Sequence, residues 1–64
     1  MSGNLEIRIG WNAAKQRYYF VVYNTELSHG IRLPSRIKDW DAAKCQAQFY
    51  SEFFGGNLPI RHYV

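Results

Sequence analysis

The sequence predicts an α+β domain in which a three-stranded antiparallel sheet packs against one C-terminal helix, in the order β-β-β-α, with a short extended tail. Three observations support this prediction. Residues 5–11 alternate between apolar and polar side chains, residues 18–23 (YYFVVY) are aromatic or β-branched, and residues 40–54 repeat apolar side chains at helical spacing. Because 64 residues leave room for one hydrophobic core, we expect a single domain over residues 1–64.

The strands are predicted from side-chain alternation and from the turn residues between them. In the first strand, residues 5–11, the inward side chains are Leu5, Ile7, Ile9 and Trp11. Residues 12–17 form a polar hairpin loop, and the YYFVVY run, apolar on both faces, is expected to be the central strand. A third strand, residues 31–33, ends at a proline, and residues 57–64 add either a short strand or a segment that wraps over the core.

The helix has a start signal and a stop signal. Asp39 is the preferred N-cap, because its side chain can accept a hydrogen bond from the first turn and Asp41 then adds negative charge where the helix dipole favours it. A longer helix that begins at Ser35 is the alternative. The Gly55-Gly56 pair predicts a left-handed C-terminal cap.

Apolar side chains occupy two faces of this helix, and a three-stranded sheet can cover only one of them. At about 100° per residue, the side chains sort into three arcs. The first stripe is Trp40, Ala43, Ala47, Tyr50 and Phe54. The second stripe is Ala42, Cys45, Phe49 and Phe53. The polar arc is Asp41, Lys44, Gln48, Ser51 and Glu52.

Two explanations are open for the second stripe. It is either the interface of a symmetric homodimer, which needs only one self-complementary patch, or it is covered by the tail through Leu58, Ile60 and Val64. So short a chain buries little surface and usually needs a disulfide, a metal or a second subunit. Because Cys45 is the only cysteine, an intrachain disulfide is excluded, and a homodimer is the favoured prediction.

The sheet face away from the helix is the predicted partner-binding surface. The net charge of +3 is mildly basic and permits an acidic partner. Guanidinium groups interleaved with tyrosines suit phosphate contacts and base stacking, although an ordinary solvated sheet face is the alternative. The candidate residues are Arg8, Tyr19, Tyr23 and Arg32, with Lys15 and Arg17 at the rim.

The order of these elements resembles known DNA-binding domains. The aromatic second strand YYFVVY, the IRL strand and the helix start DWDAA are similar to the pattern of AP2-type and phage integrase arm-type domains, over about residues 5–54. The resemblance implies DNA binding by the exposed sheet face, which carries Arg8, Arg17 and Arg32. In size and aromatic content the chain is also similar to small phage-encoded inhibitors such as anti-CRISPR proteins.

The sequence shows no motif for catalysis, for a cofactor or for a metal, so we expect a binding protein rather than an enzyme. No spacing brings Cys45 together with His29 or His62 as a catalytic pair, and the position of Cys45 in an apolar stripe indicates a small buried side chain. The two histidines also stand too far apart to predict a structural zinc site.

These observations lead to two functional hypotheses. The first is a stand-alone regulatory or inhibitory protein that docks on a protein or ribonucleoprotein partner engaged with nucleic acid. The second is direct DNA binding through the sheet. The N-terminus lacks the features of a signal peptide and no apolar run is long enough to span a bilayer, so we expect a cytoplasmic protein without membrane contact.

Overall fold

The computed structural model describes residues 4–63 and shows an α+β fold, in which a four-stranded mixed sheet packs on one helix. The elements are β1 (Leu5–Asn12), β2 (Arg17–Asn24), β3 (His29–Leu33), α1 (Trp40–Gly55) and β4 (Ile60–Tyr63). The strand order is β3-β2-β1-β4, with β2 antiparallel to both β1 and β3. The α+β class is therefore confirmed.

The prediction of three strands is wrong by one, because the tail adds β4 parallel to β1. The pairing begins where the Ile7 amide donates to the Pro59 carbonyl at 2.9 Å, and Ile60 then stands beside Ile7. Without β4, the backbone groups along one side of β1 would be left unpaired, which is costly for a strand that faces the core. The YYFVVY run is consequently one of two inner strands rather than the only central one.

The core lies between the sheet and α1, which packs mainly on β1 and β4. Ile7, Ile9 and Phe20 are completely buried, and Ala43 and Ala47 face them from the helix. Because alanine side chains are short, the helix backbone can approach the sheet closely over these larger residues. Burial of each large apolar side chain contributes about 1.5–3 kcal/mol, which makes this small cluster the main source of stability.

The predicted N-cap and the helix end at the glycine pair are confirmed, although Gly56, with ψ 106°, lies outside the left-handed helical region that was predicted for the cap. The Asp39 side chain accepts a hydrogen bond from the Ala42 amide at 3.0 Å, so the helix begins at Trp40 and the longer alternative is wrong. At the other end Gly56 has φ 62°, a conformation that favours glycine, and its amide donates to the Glu52 carbonyl at 3.2 Å.

Ser51 corrects the predicted polar arc of the helix. Its side chain is buried, 1% exposed, and its hydroxyl donates to the Leu58 carbonyl at 2.8 Å. Leu58 is itself buried and packs close to Gly55, so the tail turns beneath the end of the helix before it enters β4. Along the described residues the tail therefore does not cover the second stripe, contrary to that alternative; Val64 lies outside them.

Candidate functional site

The sheet face opposite the helix, here called the open face, presents its side chains in rows across the strands. The middle row follows directly from the pairing register: Arg61 stands beside Arg8, Arg8 beside Val21, and Val21 beside Arg32. Neighbouring strands are about 4.8 Å apart, and like charges directly opposite one another are unfavourable. This repulsion applies to Arg8 and Arg61, whereas Val21 separates Arg32 from Arg8.

Tyrosines and glycines fill the rows on either side. One row contains Tyr63, Gly10 and Tyr19, and the other contains Glu6, Tyr23 and Gly30. A Cβ atom added at Gly10 would lie 2.2 Å from Cζ of Tyr19, and one added at Gly30 would lie 2.9 Å from Cδ1 of Tyr23. The Tyr19 ring therefore lies across the neighbouring strand, in the space that a side chain at position 10 would otherwise occupy. The space above Gly30 is bordered by Val21, whose Cγ1 would lie 2.7 Å from the added Cβ, and by the near edge of Tyr23.

The arginines lie on top of the tyrosine rings. Cζ of Arg8 is 3.5 Å from the ring centroid of Tyr23 and 5.2 Å from that of Tyr63. Cζ of Arg32 is 4.0 Å from the centroid of Tyr19. At 3.5 and 4.0 Å the guanidinium groups are in van der Waals contact with the rings of Tyr23 and Tyr19, and cation–π attraction extends to the more distant Tyr63 ring. The open face is thus layered, with backbone at the bottom, tyrosine rings above it and guanidinium groups at the surface.

Glu6 compensates part of the positive charge. It is 6% exposed, accepts a hydrogen bond from Nε of Arg8, and lies 3.5 Å from Nε of Arg61. The hydrogen bond from Arg8 to Glu6 raises the pKa of Arg8, which therefore stays charged. Among the ion pairs of residues 4–63 none involves Arg32, so its charge is available to a ligand.

A shallow groove of about 450 Å³ runs over these rows. It continues past Arg32 and Tyr19 to the end of the sheet, where Arg17 donates to the Ser35 carbonyl at 3.5 Å. There a basic cluster lines a second cleft: Lys15, Arg17, Arg36 and Lys38. The structure therefore brings together all six residues that the sequence assigned to partner binding, with Arg8, Tyr19, Tyr23 and Arg32 on the open face and Lys15 and Arg17 at its rim.

Sequence reasoning missed four contributors to this surface: Arg36, Lys38, Arg61 and Tyr63. The first two belong to the segment between β3 and α1, whose path no local pattern predicts. The other two lie on β4, where Arg61 and Tyr63 alternate with Ile60 and His62. This alternation with a period of two was the available signal, but a segment of four residues is too short to predict a strand from it.

The second stripe of the helix, here called the outer stripe, faces away from the sheet. Its four members, Ala42, Cys45, Phe49 and Phe53, are all exposed. Phe49 and Phe53 are 58% and 70% exposed, and their rings stack with centroids 6.0 Å apart. The prediction that Cys45 is buried is wrong for the single chain, because the sheet contacts the opposite side of the helix.

Among residues 4–63, no three His, Cys, Asp or Glu side chains are grouped so that they could hold a metal ion. The helix in this part of the chain is neither long nor apolar enough to cross a membrane. No protein-family model, curated protein or solved structure gives a significant match to the chain.

Proposed function

We propose that this chain is a non-catalytic binding protein whose open face binds nucleic acid. The observation that carries the proposal is the row formed by Arg61, Arg8 and Arg32, bordered on both sides by tyrosines. Arg8 and Arg61 are neighbours in register, an arrangement that costs stability unless a negative charge lies between them. An anionic ligand on this face would compensate the charge that Glu6 leaves unbalanced.

The chemistry of the groups favours nucleic acid over an acidic protein surface. Guanidinium groups bind phosphate oxygens in a bidentate manner, and tyrosine rings and guanidinium planes both stack on bases. The row of cations extends through the groove to the basic cluster around Lys15 and Arg17, as the path of a polyanion requires. Arginines and tyrosines also serve at protein interfaces, so the extended path of cations is the feature that favours nucleic acid.

The second candidate function is a regulatory or inhibitory protein, of the kind that phages encode, which docks on a nucleic-acid-handling partner. The outer stripe favours it, because two stacked phenylalanines on an exposed helix face provide the aromatic anchors typical of protein interfaces. This surface lies on the opposite side of the molecule from the open face. The two candidates therefore use different residues and can be separated by mutation.

We also propose that the outer stripe self-associates weakly in solution. An antiparallel twofold pair of helices centred on Phe49 places Cys45 opposite Phe53 of the second copy, so the patch is self-complementary. With 58% and 70% of their surface exposed, Phe49 and Phe53 offer about 250 Å² per chain. A stable dimer buries about 800 Å² per partner. We therefore expect a concentration-dependent homodimer rather than a permanent one.

The salt dependence of binding tests the primary proposal. Fluorescence anisotropy is measured with labelled random-sequence single-stranded and duplex oligonucleotides between about 50 and 200 mM salt. If about four phosphates are contacted, log K should fall with a slope near −3 against log salt for single strands. Arg32→Ser should weaken binding and reduce the slope, whereas Lys44→Ser, which removes the same charge from the helix, should leave both almost unchanged.

Weak binding that does not respond to salt, or equal effects of the two substitutions, would contradict binding through the open face. Retention of a lysate protein by the wild type, and its loss in Phe53→Ser but not in Arg32→Ser, would favour the second candidate instead. Circular dichroism of each variant provides the control for folding.

A further inference from the structure

We infer that the open face selects single strands over duplex, and that a base stacks on the guanidinium plane of Arg32. This inference rests on the proposed nucleic-acid function and concerns the same surface. Three layers carry it: the bare backbone at Gly10, the ring of Tyr19 that lies across it, and the guanidinium of Arg32 on that ring. We call these three residues the stacking platform.

The flat shape of the open face explains why a single strand fits it better than a duplex. Duplex sequence is read by side chains that project into a groove and reach the base edges. Here the long side chains lie down instead, because the Tyr19 ring occupies the space above Gly10, and Arg32 and Arg8 rest on the rings of Tyr19 and Tyr23. A flat surface whose outermost groups are planar can stack on the faces of bases, and only an unpaired strand exposes those faces.

Arg32 and Arg8 differ in their availability to a ligand. The Arg8 side chain is 30% exposed, donates to Glu6, and has Tyr23 and Tyr63 rings near it, so its guanidinium plane is less available to a base. Arg32 is exposed and its guanidinium contacts one ring, so its other face is open to solvent. The platform is thus centred on the guanidinium of Arg32, which lies on the Tyr19 ring.

Tyr63 provides a second aromatic surface for the same strand. It stands beside Gly10 on β4, while Tyr19 stands beside Gly10 on β2 and lays its ring over it, so the two tyrosines approach Gly10 from opposite sides. Tyr63 is 58% exposed and has no described residue stacked above it other than the more distant Arg8. One base on Arg32 and a neighbouring base on Tyr63 would leave the connecting phosphate above Arg8 and Arg61.

Gly10 acts as a positioning residue in this arrangement. Any side chain at this position would collide with the Tyr19 ring, which sits within 2.2 Å of the ideal Cβ position. Displacement of the ring would leave Arg32 without the surface that holds its side chain flat. Since a group that is already ordered loses less entropy on binding, the loss of the platform should weaken stacking without changing the charge.

Three probes of equal length test the inference: oligothymidylate, an abasic strand with the same phosphates, and a duplex. The wild-type chain should bind oligothymidylate about tenfold more tightly than the abasic strand, and more tightly than the duplex. Arg32→Lys keeps the charge and removes the plane, so its affinity for oligothymidylate should fall to the abasic level while its affinity for the abasic strand is unchanged. Arg61→Lys is the comparison variant, because Arg61 belongs to the same row and would contact phosphate rather than a base: it should change the affinities for oligothymidylate and for the abasic strand equally, so the preference for bases should stay as in the wild type.

Gly10→Ala provides an independent variant in which no charge is altered, and it should reduce the preference for bases in the same way. Equal affinity of the wild type for the oligothymidylate and abasic probes, or tighter binding of the duplex, would overturn the stacking platform and leave the proposed function standing. The absence of binding to all three probes at low salt would instead overturn the proposed function. Equally tight binding of polyglutamate would assign the face to acidic protein and overturn the inference.

Discussion

The two sides of the sheet use large side chains in opposite ways. On the helix side, Phe20 is completely buried, and the short side chains of Ala43 and Ala47 let the helix cover it. On the open face, the Tyr19 ring lies over Gly10, and the rings of Tyr19 and Tyr23 are each contacted by an arginine side chain. The first arrangement removes apolar surface from water, and the second keeps planar groups at the surface.

This difference separates what the fold requires from what it only permits. The buried side follows from the hydrophobic effect, since few other residues could close a core of this size. The open face contains adjacent arginines and a nearly buried glutamate, which add little net stability and oppose one another in register. Features that a fold does not need are the ones most informative about binding, and here they lie on the open face.

The largest effect on stability is expected from the core. Phe20→Ala should lower the free energy of unfolding by about 3–5 kcal/mol, which is comparable to the whole stability of so small a domain, so the variant should be largely unfolded. Phe53→Ala is the matched control, because the same side chain is 70% exposed there, and we expect a change within about 0.5 kcal/mol. Urea denaturation followed by circular dichroism measures both, and a large loss in Phe53→Ala would show that the outer stripe is covered in solution.

An intermediate effect on stability is expected at Glu6, which pairs with two arginines of the proposed binding surface. Glu6→Gln removes the acid that lies between Arg8 and Arg61, so the free energy of unfolding should fall by about 1 kcal/mol. The same change should strengthen nucleic-acid binding, because the positive row is no longer compensated. Glu52→Gln changes the net charge equally on the exposed side of the helix and should affect neither quantity.

Urea denaturation and anisotropy with the oligothymidylate probe measure the two quantities on the same samples. Opposite shifts in stability and affinity would support the separation between the two sides of the sheet. Weaker binding in Glu6→Gln would show that Glu6 serves mainly to hold Arg8 in place for the ligand, which would contradict the expected gain.

The helix and the first three strands were predictable because their signals are local. Asp39 and Gly56 fix the helix ends through bonds to residues three or four positions away, and alternation with a period of two defines β1. β4 is different, since its four residues pair with a strand more than fifty positions earlier. Ser51 was misplaced for a similar reason, because its burial depends on a hydrogen bond to a carbonyl beyond the helix.

The candidate site was predictable in part of its membership and not in its arrangement. The alternation of side chains correctly assigned Arg8, Tyr19, Tyr23 and Arg32 to one face. The stacking of arginine on tyrosine depends on which residue of one strand stands beside which residue of the next, and on the glycine that makes room. Register is a property of pairs of strands, so no single segment of the sequence carries it.

The smallest effect on stability, with a clear effect on mass, is expected at the outer stripe. Phe49→Asp places a charge at the centre of the proposed twofold contact, and burial of two unpaired carboxylates between copies would abolish self-association. The free energy of unfolding of the single chain should change by less than about 0.5 kcal/mol, because Phe49 is 58% exposed.

Light scattering after size exclusion, over a concentration series, measures the solution mass of the wild type and of the variant. We expect the wild-type mass to rise with concentration toward that of a dimer, and the Phe49→Asp mass to stay that of a monomer with an unchanged circular dichroism spectrum. Gln48→Asp is the matched control, since it adds the same charge one residue away on the polar side of the helix. A wild type that stays monomeric at every concentration would exclude the homodimer. The outer stripe would then remain exposed on a folded monomer, and the aromatic anchors of the second candidate function would need a different protein as their partner.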